Sequence, residues 1–262
     1  MARAIPNKSG QRGNPLPTSA PHFTGDKERY VRDMFAAIAP QYDLLNAILS
    51  FNQHKAWRRL AVKISGARPG DRCLDVCTGT GDLALDLAGA VSPGGSVVGA
   101  DFCEPMIRSG LTKTLKARDI QMMVANAEAL PYPTNSFAVV TVGFGVRNVA
   151  HVEQAVREMA RVVKPGGKVV VLEFSRPPRS WYRPFIDFYL FRVLPFIGGM
   201  LSRREAYSYL PESMKHFVSR EELASVMEQS GLASVVVRSL NFGTVCIHSG
   251  TKTGAQPGSI PV

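Results

Sequence analysis

Three short stretches place acids, glycines and amides where they could hold a small molecule. The first is CLDVCTGTGDLALDLAG (73–89), an apolar run that stops at a Thr-Gly-Thr-Gly turn and passes at once into helical periodicity. It contributes Asp75, Gly79, Thr80, Gly81 and Asp82. The second is Asp101, at the end of the next Val-rich run, about 20 residues beyond the turn. The third comprises Asn126 and Ala127 after a further run, and Gly143, Arg147 and Asn148 in VGFGVRNV. Glycine-rich strand-to-helix turns let a ligand approach the backbone closely, and an acid at the next strand end can accept hydrogen bonds from two ribose hydroxyls.

Three ligands compete for such a turn. A phosphate loop needs Lys-Ser or Lys-Thr after its second glycine, but Asp82-Leu83 follow Gly81, which excludes that motif. A dinucleotide fits the looser Gly79-x-Gly81-x-x-Ala84 spacing, although Asp82 would face its pyrophosphate. S-adenosylmethionine carries no phosphate, and its ammonium favours acids, which would give Asp75 and Asp82 a role. The bland reading of Asp82 is an acid complementing a helix N-terminus. The turn alone leaves the last two ligands level. The amide of Asn126 and the backbone of Ala127, able to read an adenine edge, shift the balance to the sulfonium. So do Arg147 and Asn148 at the carboxyl edge.

These residues need a sheet to bring them together. RCLDVC, GSVVGAD, IQMMVAN, FAVVTVGF and KVVVLEF read as strands, alternating with helices over 81–90, 104–117 and 151–163, with KPGG as a turn before the fifth strand. Short Val-rich runs alternating with helices specify a parallel sheet covered on both faces. A helix over 219–230 starts at a Ser219/Glu222 capping box. SVVVRSL and GTVCIHSG then form a strand pair around Asn-Phe-Gly. Before the sheet, Tyr30, Met34, Phe35 and Ile38 mark one helical face and Pro40 ends that helix. The expected organisation is a disordered segment over 1–25, one domain over 26–250 with a lid-like insert at about 176–218, and a loose tail over 251–262.

Composition bounds the partners. The 262 residues carry a net charge of +10, with 11 Lys/Arg against 4 Asp/Glu in 161–220. Ten of the 22 aromatic residues lie in 181–217. WYRPFIDFYLFRVLPFIGGML (181–201) is long enough to span a bilayer, but Arg183, Asp187, Arg192 and two prolines argue against that. Apolar and aromatic residues flanked by arginine suit either a lid or an interfacial surface on anionic lipid. The four cysteines show no C-x-x-C spacing and the histidines no metal spacing, so neither a metal nor a redox motif is expected. The N-terminus has basic residues without an apolar stretch of secretory length, and a cytoplasmic protein is expected, peripheral at the inner membrane face.

At this point the motifs resemble a known group. Asp75-x-x-x-Gly79-Thr80-Gly81, Ala100-Asp101, Asn126-Ala127-Glu128-Ala129-Leu130-Pro131 and Arg161-Val-Val-Lys164-Pro165-Gly166-Gly167 are similar to class I S-adenosylmethionine-dependent methyltransferases. YDLLNAILSFNQHKAWR (42–58), FGVRNV (144–149) and RVVKPGGKVVVLEFS (161–175) resemble, more narrowly, the menaquinone/ubiquinone biosynthesis C-methyltransferases. The resemblance spans about 27–250. It implies a Rossmann-like α/β fold with a seven-stranded, mostly parallel sheet, a helical N-terminal extension and a lid insert. It implies methyl transfer from S-adenosylmethionine to a ring carbon of a polyprenyl quinol: demethylmenaquinol first, a methoxy-benzoquinol as the alternative.

The family's cofactor contacts carry over to Thr80, Asp101, Asn126 and Ala127. Where many members have Ser, this chain has Gly143, so only its backbone is available there. In the implied chemistry Arg147 would stabilise a phenolate, Asn148 would orient the ring hydroxyl, and Asp82 would hold a water or the cofactor's amino group. The competing readings pair Arg147 with an acid at the core edge and make Asn148 a helix cap. Tyr42, Asp43, Asn46 and His54 would close over cofactor and ring, with an exposed helix residue as the plainer reading of His54. No nucleic acid is expected, because the aromatics lie in an apolar insert and not along a basic strand face. The oligomeric state is open, a homodimer being one option.

Overall fold

The computed structural model describes residues 27–117, 119–177, 181–193, 196, 209 and 212–254. The expected N-terminal segment over 1–25, most of the C-terminal tail and much of the insert lie outside them.

Seven strands form one sheet in the order β3-β2-β1-β4-β5-β7-β6. They are β1 (Arg72–Val76), β2 (Ser96–Asp101), β3 (Ile120–Val124), β4 (Phe137–Gly143), β5 (Val163–Phe174), β6 (Leu232–Leu240) and β7 (Val245–Lys252). β1 to β5 pair in parallel, and β7 runs antiparallel to both of its neighbours. Strands buried on both faces cannot alternate polar and apolar residues, which is why the central strands read as Val-rich runs. Cys73, Leu74, Val139, Val140, Val169, Val170 and Val171 are all buried. At roughly 1.5–3 kcal/mol for each fully buried Val, Leu or Phe side chain, this block holds the sheet together. By contrast, β6 is an edge strand with alternating burial and an exposed Val236.

Helices cover both faces. α4 (Asp82–Val91), α5 (Glu104–Thr114) and α6 (Val152–Val162) follow β1, β2 and β4. α6 buries Ala155, Val156, Met159 and Ala160, one stripe of its surface. A last helix, α8 (Arg220–Gln229), carries the expected capping box: Ser219 Oγ accepts from the Glu222 amide at 3.1 Å, and the Glu222 carboxylate accepts from the Ser219 amide at 2.7 Å. Helix α7 (Arg183–Phe188) precedes it, lies in the insert and runs into a wider π-type turn over Tyr189–Val193. Among the described residues no helix is long and apolar enough to cross a membrane.

Two local expectations change. KPGG does not separate a turn from β5. The strand already begins at Val163, opposite Phe137, and Lys164–Gly167 bulge out before pairing resumes at Lys168 opposite Val139. Gly166, at φ +77°, makes the bulge possible. The N-terminal extension consists of α1 (Lys27–Ile38), α2 (Tyr42–Leu49) and α3 (Gln53–Ser65), with Pro40 in a single 3-10 turn between the first two. Of the expected face of α1, only Ile38 is buried; Met34 and Phe35 are half-buried and line a cavity, and Val31 is the residue packed inside.

Register brings the candidate site together. Val76 lies opposite both Ala100 and Val142, so β1, β2 and β4 end at one level. The residues just beyond them, the glycine turn, Asp101 and Gly143, therefore share the carboxyl edge of the sheet. Open α/β sheets bind ligands at this edge. α1 and α2 close over it. Lys27 Nζ donates to the Val149 carbonyl at 2.7 Å, and Ser109 Oγ to the Ala39 carbonyl at 3.0 Å.

Candidate active site

The turn after β1 is held by Asp101. Its two carboxylate oxygens accept from the Gly79 and Cys103 amides, each at 2.8 Å. Gly79 and Gly81 have φ of +59° and +84°, the left-handed region that suits glycine. A Cβ on Gly81 would lie 2.7 Å from Thr114 Cγ2 of α5. Asp101 lines a narrow cavity of about 60 Å³ with Phe102, Asn126, Ala127, Gly143 and Asn148. Burial pushes the Asp101 carboxyl above its ordinary value, against the pull of its amide donors. Asn126 folds its Oδ1 back to the Glu128 amide at 2.8 Å, which leaves its NH2 group for other partners.

Asp75 lies behind the turn, 1% exposed, and lines neither cavity. One carboxylate oxygen accepts from Thr78 Oγ1 at 2.6 Å, the other from Thr141 Oγ1 at 2.7 Å. Burial raises its pKa to about 7 despite those two hydroxyls. These bonds fasten the turn to β4, so Asp75 braces the site from within the sheet.

Asp82 has both oxygens engaged by cations. Arg58 of α3 reaches Oδ2 at 3.0 Å, and Lys113 of α5 reaches Oδ1 at 2.5 Å. Burial alone would raise its pKa; Arg58 and then Lys113 outweigh that and hold it below the ordinary carboxylate range. Lys113 also donates to Asp43 Oδ2 at 2.6 Å and Thr80 Oγ1 at 2.9 Å, and Thr80 donates to Asp43 Oδ1 at 2.6 Å. One ammonium thus ties the covering helix α2 to the glycine turn.

A second cavity of about 470 Å³ opens beside the first. Phe35, Tyr42, Gly143 and Phe144 line both and form the wall between them. Leu45, Leu49, Trp57 and Phe174 give the larger cavity an apolar body, with Asn46, His54, Arg58, Thr80, Asp82 and Arg147 as its polar points. Arg147 is buried and paired: Nη1 donates to Glu173 Oε1 at 2.6 Å and to the Phe144 carbonyl at 2.5 Å. The guanidinium also lies over the Phe174 ring, 5.2 Å from its centroid, and its Nε has no partner among the described residues. The core-edge acid that the sequence left as an alternative is therefore Glu173, and Arg147 still faces the cavity. Asn148 is not the cap of α6, whose N-cap position is His151. Its Oδ1 instead accepts from Tyr209 Oη at 3.1 Å.

His54 is buried at 6% exposure, where an exposed helix residue was the plainer expectation, because α3 turns that face toward the cavity. Sequence reasoning also missed Lys113, Arg58, Glu173 and Tyr209. An acid inside the Val-rich run KVVVLEF was a readable signal for Glu173, since a buried carboxylate needs a partner. Lys113 carried no signal, because its acceptors come from stretches 31 to 70 residues away.

A model of the ubiE/COQ5 methyltransferase family matches residues 23–252. The chain belongs to this family. Among its relatives, the Ubiquinone/menaquinone biosynthesis C-methyltransferase UbiE of Geobacter sulfurreducens is 44% identical over 230 residues, 87% of this chain and 90% of that protein. The Demethylmenaquinone methyltransferase of Bacillus mycoides is 42% identical over 229 residues, 86% of this chain and 97% of that one. In fold, the chain is similar to a SAM-dependent methyltransferase of Thermotoga maritima described as a possible histamine N-methyltransferase. The TM-score is 0.60 at 20% identity, covering 85% of this chain and all of that one. The Rossmann-like methyltransferase fold and the methyltransferase class expected from the motifs both hold, and the nicotinamide alternative for the glycine turn falls away.

Proposed function

We propose that the protein transfers the methyl group of S-adenosylmethionine to a ring carbon of a polyprenyl hydroquinone. Demethylmenaquinol is the favoured acceptor and 2-methoxy-6-polyprenyl-1,4-benzoquinol the alternative. The observation that carries this is the pair of cavities meeting at Gly143 and Phe144, one edged by a ribose-type carboxylate and the other apolar. The names of the relatives support the quinone ring as acceptor; one of them names both quinone classes.

The donor set fits S-adenosylmethionine. Asp101 offers acceptors for ribose hydroxyls, the Asn126 amide and Ala127 backbone would read the adenine edge, and Thr80 and Asp82 would be polar partners for the amino-acid end, with the Asp82 charge already shared by Arg58 and Lys113. The cofactor supplies an electrophilic methyl on a sulfonium. The narrow cavity is far below the ~300–1,000 Å³ of ordinary ligand sites, so Phe35 and Tyr42 must yield for a nucleoside to enter. The chain's own contribution is alignment and exclusion of water. Trp57, Phe144 and Phe174 hold the ring, and Arg147 stabilises negative charge developing on its oxygen. Glu173 fixes the guanidinium plane.

The polyprenyl tail leaves through the mouth of the larger cavity. Phe51, Phe185 and Phe242 line it and are 70%, 71% and 74% exposed. With Trp181 and Phe188 nearby in α7 and its approach, this rim suits the surface of a bilayer, where the substrate resides. Sedimentation with vesicles is expected to pull down the protein, more strongly as anionic lipid increases; binding indifferent to both lipid charge and salt removes the electrostatic part.

Quinone profiling by mass spectrometry in a strain lacking the protein tests the acceptor. Accumulated demethylmenaquinone, cleared by the restored chain, is the expected result. Accumulation of only the unmethylated methoxy-benzoquinone moves the assignment to the alternative.

A further inference from the structure

A hydroquinone carbon attacks a methyl group well only when the neighbouring hydroxyl has lost its proton, so some group must take it. We propose that His54 Nε2 is that proton acceptor. The inference rests on the quinol reading above and names the residue that makes the ring nucleophilic.

Hydrogen bonding fixes which imidazole nitrogen is available. Ser50 Oγ donates to the Asn46 carbonyl at 2.6 Å. Its proton is therefore engaged, and the 2.6 Å contact between Ser50 Oγ and His54 Nδ1 has the ring as donor. A neutral imidazole protonated on Nδ1 carries its lone pair on Nε2. Ser50 and Asn46 line the same cavity as His54, so this relay forms part of its wall.

Among the described residues, the other titratable groups lining the cavity are unsuited. Asp82 is clamped between Arg58 and Lys113, which makes it a weak base. Arg58 and Arg147 are cations. Burial pushes the Tyr42, Tyr189 and Tyr209 hydroxyls up, so none is a phenolate near neutral pH. His54 is neutral there. Burial and then Arg58 lower its pKa from 6.5; Lys55 of its own helix also lowers it, while Asp82 of α4 and Asp43 of α2 oppose the shift.

The step balances. The ring hydroxyl proton passes to Nε2 and leaves a phenolate beside an imidazolium. The phenolate's electron pair drives the adjacent ring carbon onto the methyl, the new C–C bond forms, and the C–S bond breaks with its electrons on sulfur. The ring carbon then loses its own hydrogen as a proton to water, and the imidazolium returns its proton to the oxygen. One proton is released overall.

Steady-state kinetics of His54→Asn across pH, with demethylmenaquinol in detergent micelles, tests this together with the NMR tautomer of His54 in the wild-type protein. The variant is expected to lose about 10²–10⁴-fold in kcat, with KM and S-adenosylhomocysteine affinity unchanged. The wild-type kcat is expected to fall on the acid side below the ordinary histidine value, and this limb to vanish in the variant. Added imidazole should restore part of the rate in His54→Ala. Ser50→Ala, which removes only the relay, should lose less, with the limb displaced. The ¹⁵N shifts should show a neutral ring protonated on Nδ1. A kcat within threefold of wild type, an acid limb that persists in a folded variant, or a ring protonated on Nε2 overturns the proposal. If the wild-type protein binds S-adenosylhomocysteine but methylates no quinol, the acceptor assignment fails, and the tautomer still decides against His54 if Nε2 carries the proton.

Discussion

Arg147 Nη1 and Glu173 Oε1 lie 2.6 Å apart in a wall where the acid is 1% exposed and the guanidinium stacks on Phe174. A buried pair of this kind is costly to break from one side, because the survivor is left charged and unpaired. Glu173→Ala is expected to destabilise the fold by about 3–5 kcal/mol in urea unfolding. Glu173→Gln, which keeps an acceptor for Nη1, should cost less. Arg147→Ala should lower kcat far more than it weakens cofactor binding, and unchanged turnover would remove Arg147 from the chemistry.

Asp75 sets a pH dependence opposite to that of an ordinary surface acid. Its folded-state pKa of about 7 lies above the 3.8 of a free side chain. The folded protein therefore holds a proton that the unfolded chain has lost, and this contribution, full below about pH 4, disappears as pH rises through 7. Asp75→Asn keeps partners for Thr78 and Thr141 and is expected to stabilise the protein at pH 8 by at most about 4 kcal/mol, with little change at pH 4. Thermal melts at the two pH values measure the difference. A variant less stable at pH 8 than wild type would show that the carboxylate itself is needed.

Much of this was legible beforehand. The Val-rich strands, the glycine turn and the ends of β2 and β4 could be read because burial on both faces and left-handed turns constrain residue type locally. The bulge at Lys164–Gly167 was not, because a register shift is a property of two strands, and only β4 reveals it. The pairing of Arg147 with Glu173 was half legible: the acid stood out in its strand, but the sequence offered no reason to join residues 26 apart. The burial of His54 was not legible, because a lone histidine on an amphipathic helix says nothing of what that part of the helix faces. The tie of Lys113 to Asp43, Thr80 and Asp82 is purely tertiary and left no local trace.

That tie is expected to hold α2 onto the cofactor turn. Lys113→Met, which keeps the aliphatic stem, should weaken S-adenosylhomocysteine binding about tenfold, equivalent to about one hydrogen bond to a charged group. It should also change acid sensitivity. The depressed pKa of Asp82 contributes stability above the ordinary carboxylate value of 3.8, which is lost as pH falls through the folded-state value. Without Lys113 that acid-side loss should shrink. Calorimetric titration and melts between pH 3 and 6 check both, and unchanged affinity would reduce Lys113 to a surface ion pair.

Gly110 of α5 packs against the turn from the other side. A Cβ there would lie 2.4 Å from the Thr80 carbonyl oxygen and 2.7 Å from its carbon, backbone that cannot move without moving the turn. Gly110→Ala is expected to cost about 1–3 kcal/mol and to weaken cofactor binding. Gly89→Ala in α4, with nothing within 4 Å of the added methyl, should instead stabilise by about 0.5–1 kcal/mol. If both variants behave alike, helix propensity and not the Thr80 contact governs the site.

The central claim is methyl transfer from S-adenosylmethionine to a quinol ring carbon. It is tested most directly by incubating the purified protein with methyl-deuterated S-adenosylmethionine and demethylmenaquinol under reducing conditions, then locating the label by mass spectrometry and NMR. The expected product is menaquinol bearing one intact trideuteromethyl group on the ring carbon, formed by wild type and lost in Asp101→Ala. Label found on a ring oxygen, or no transfer to either quinol by protein that binds S-adenosylhomocysteine, would contradict it.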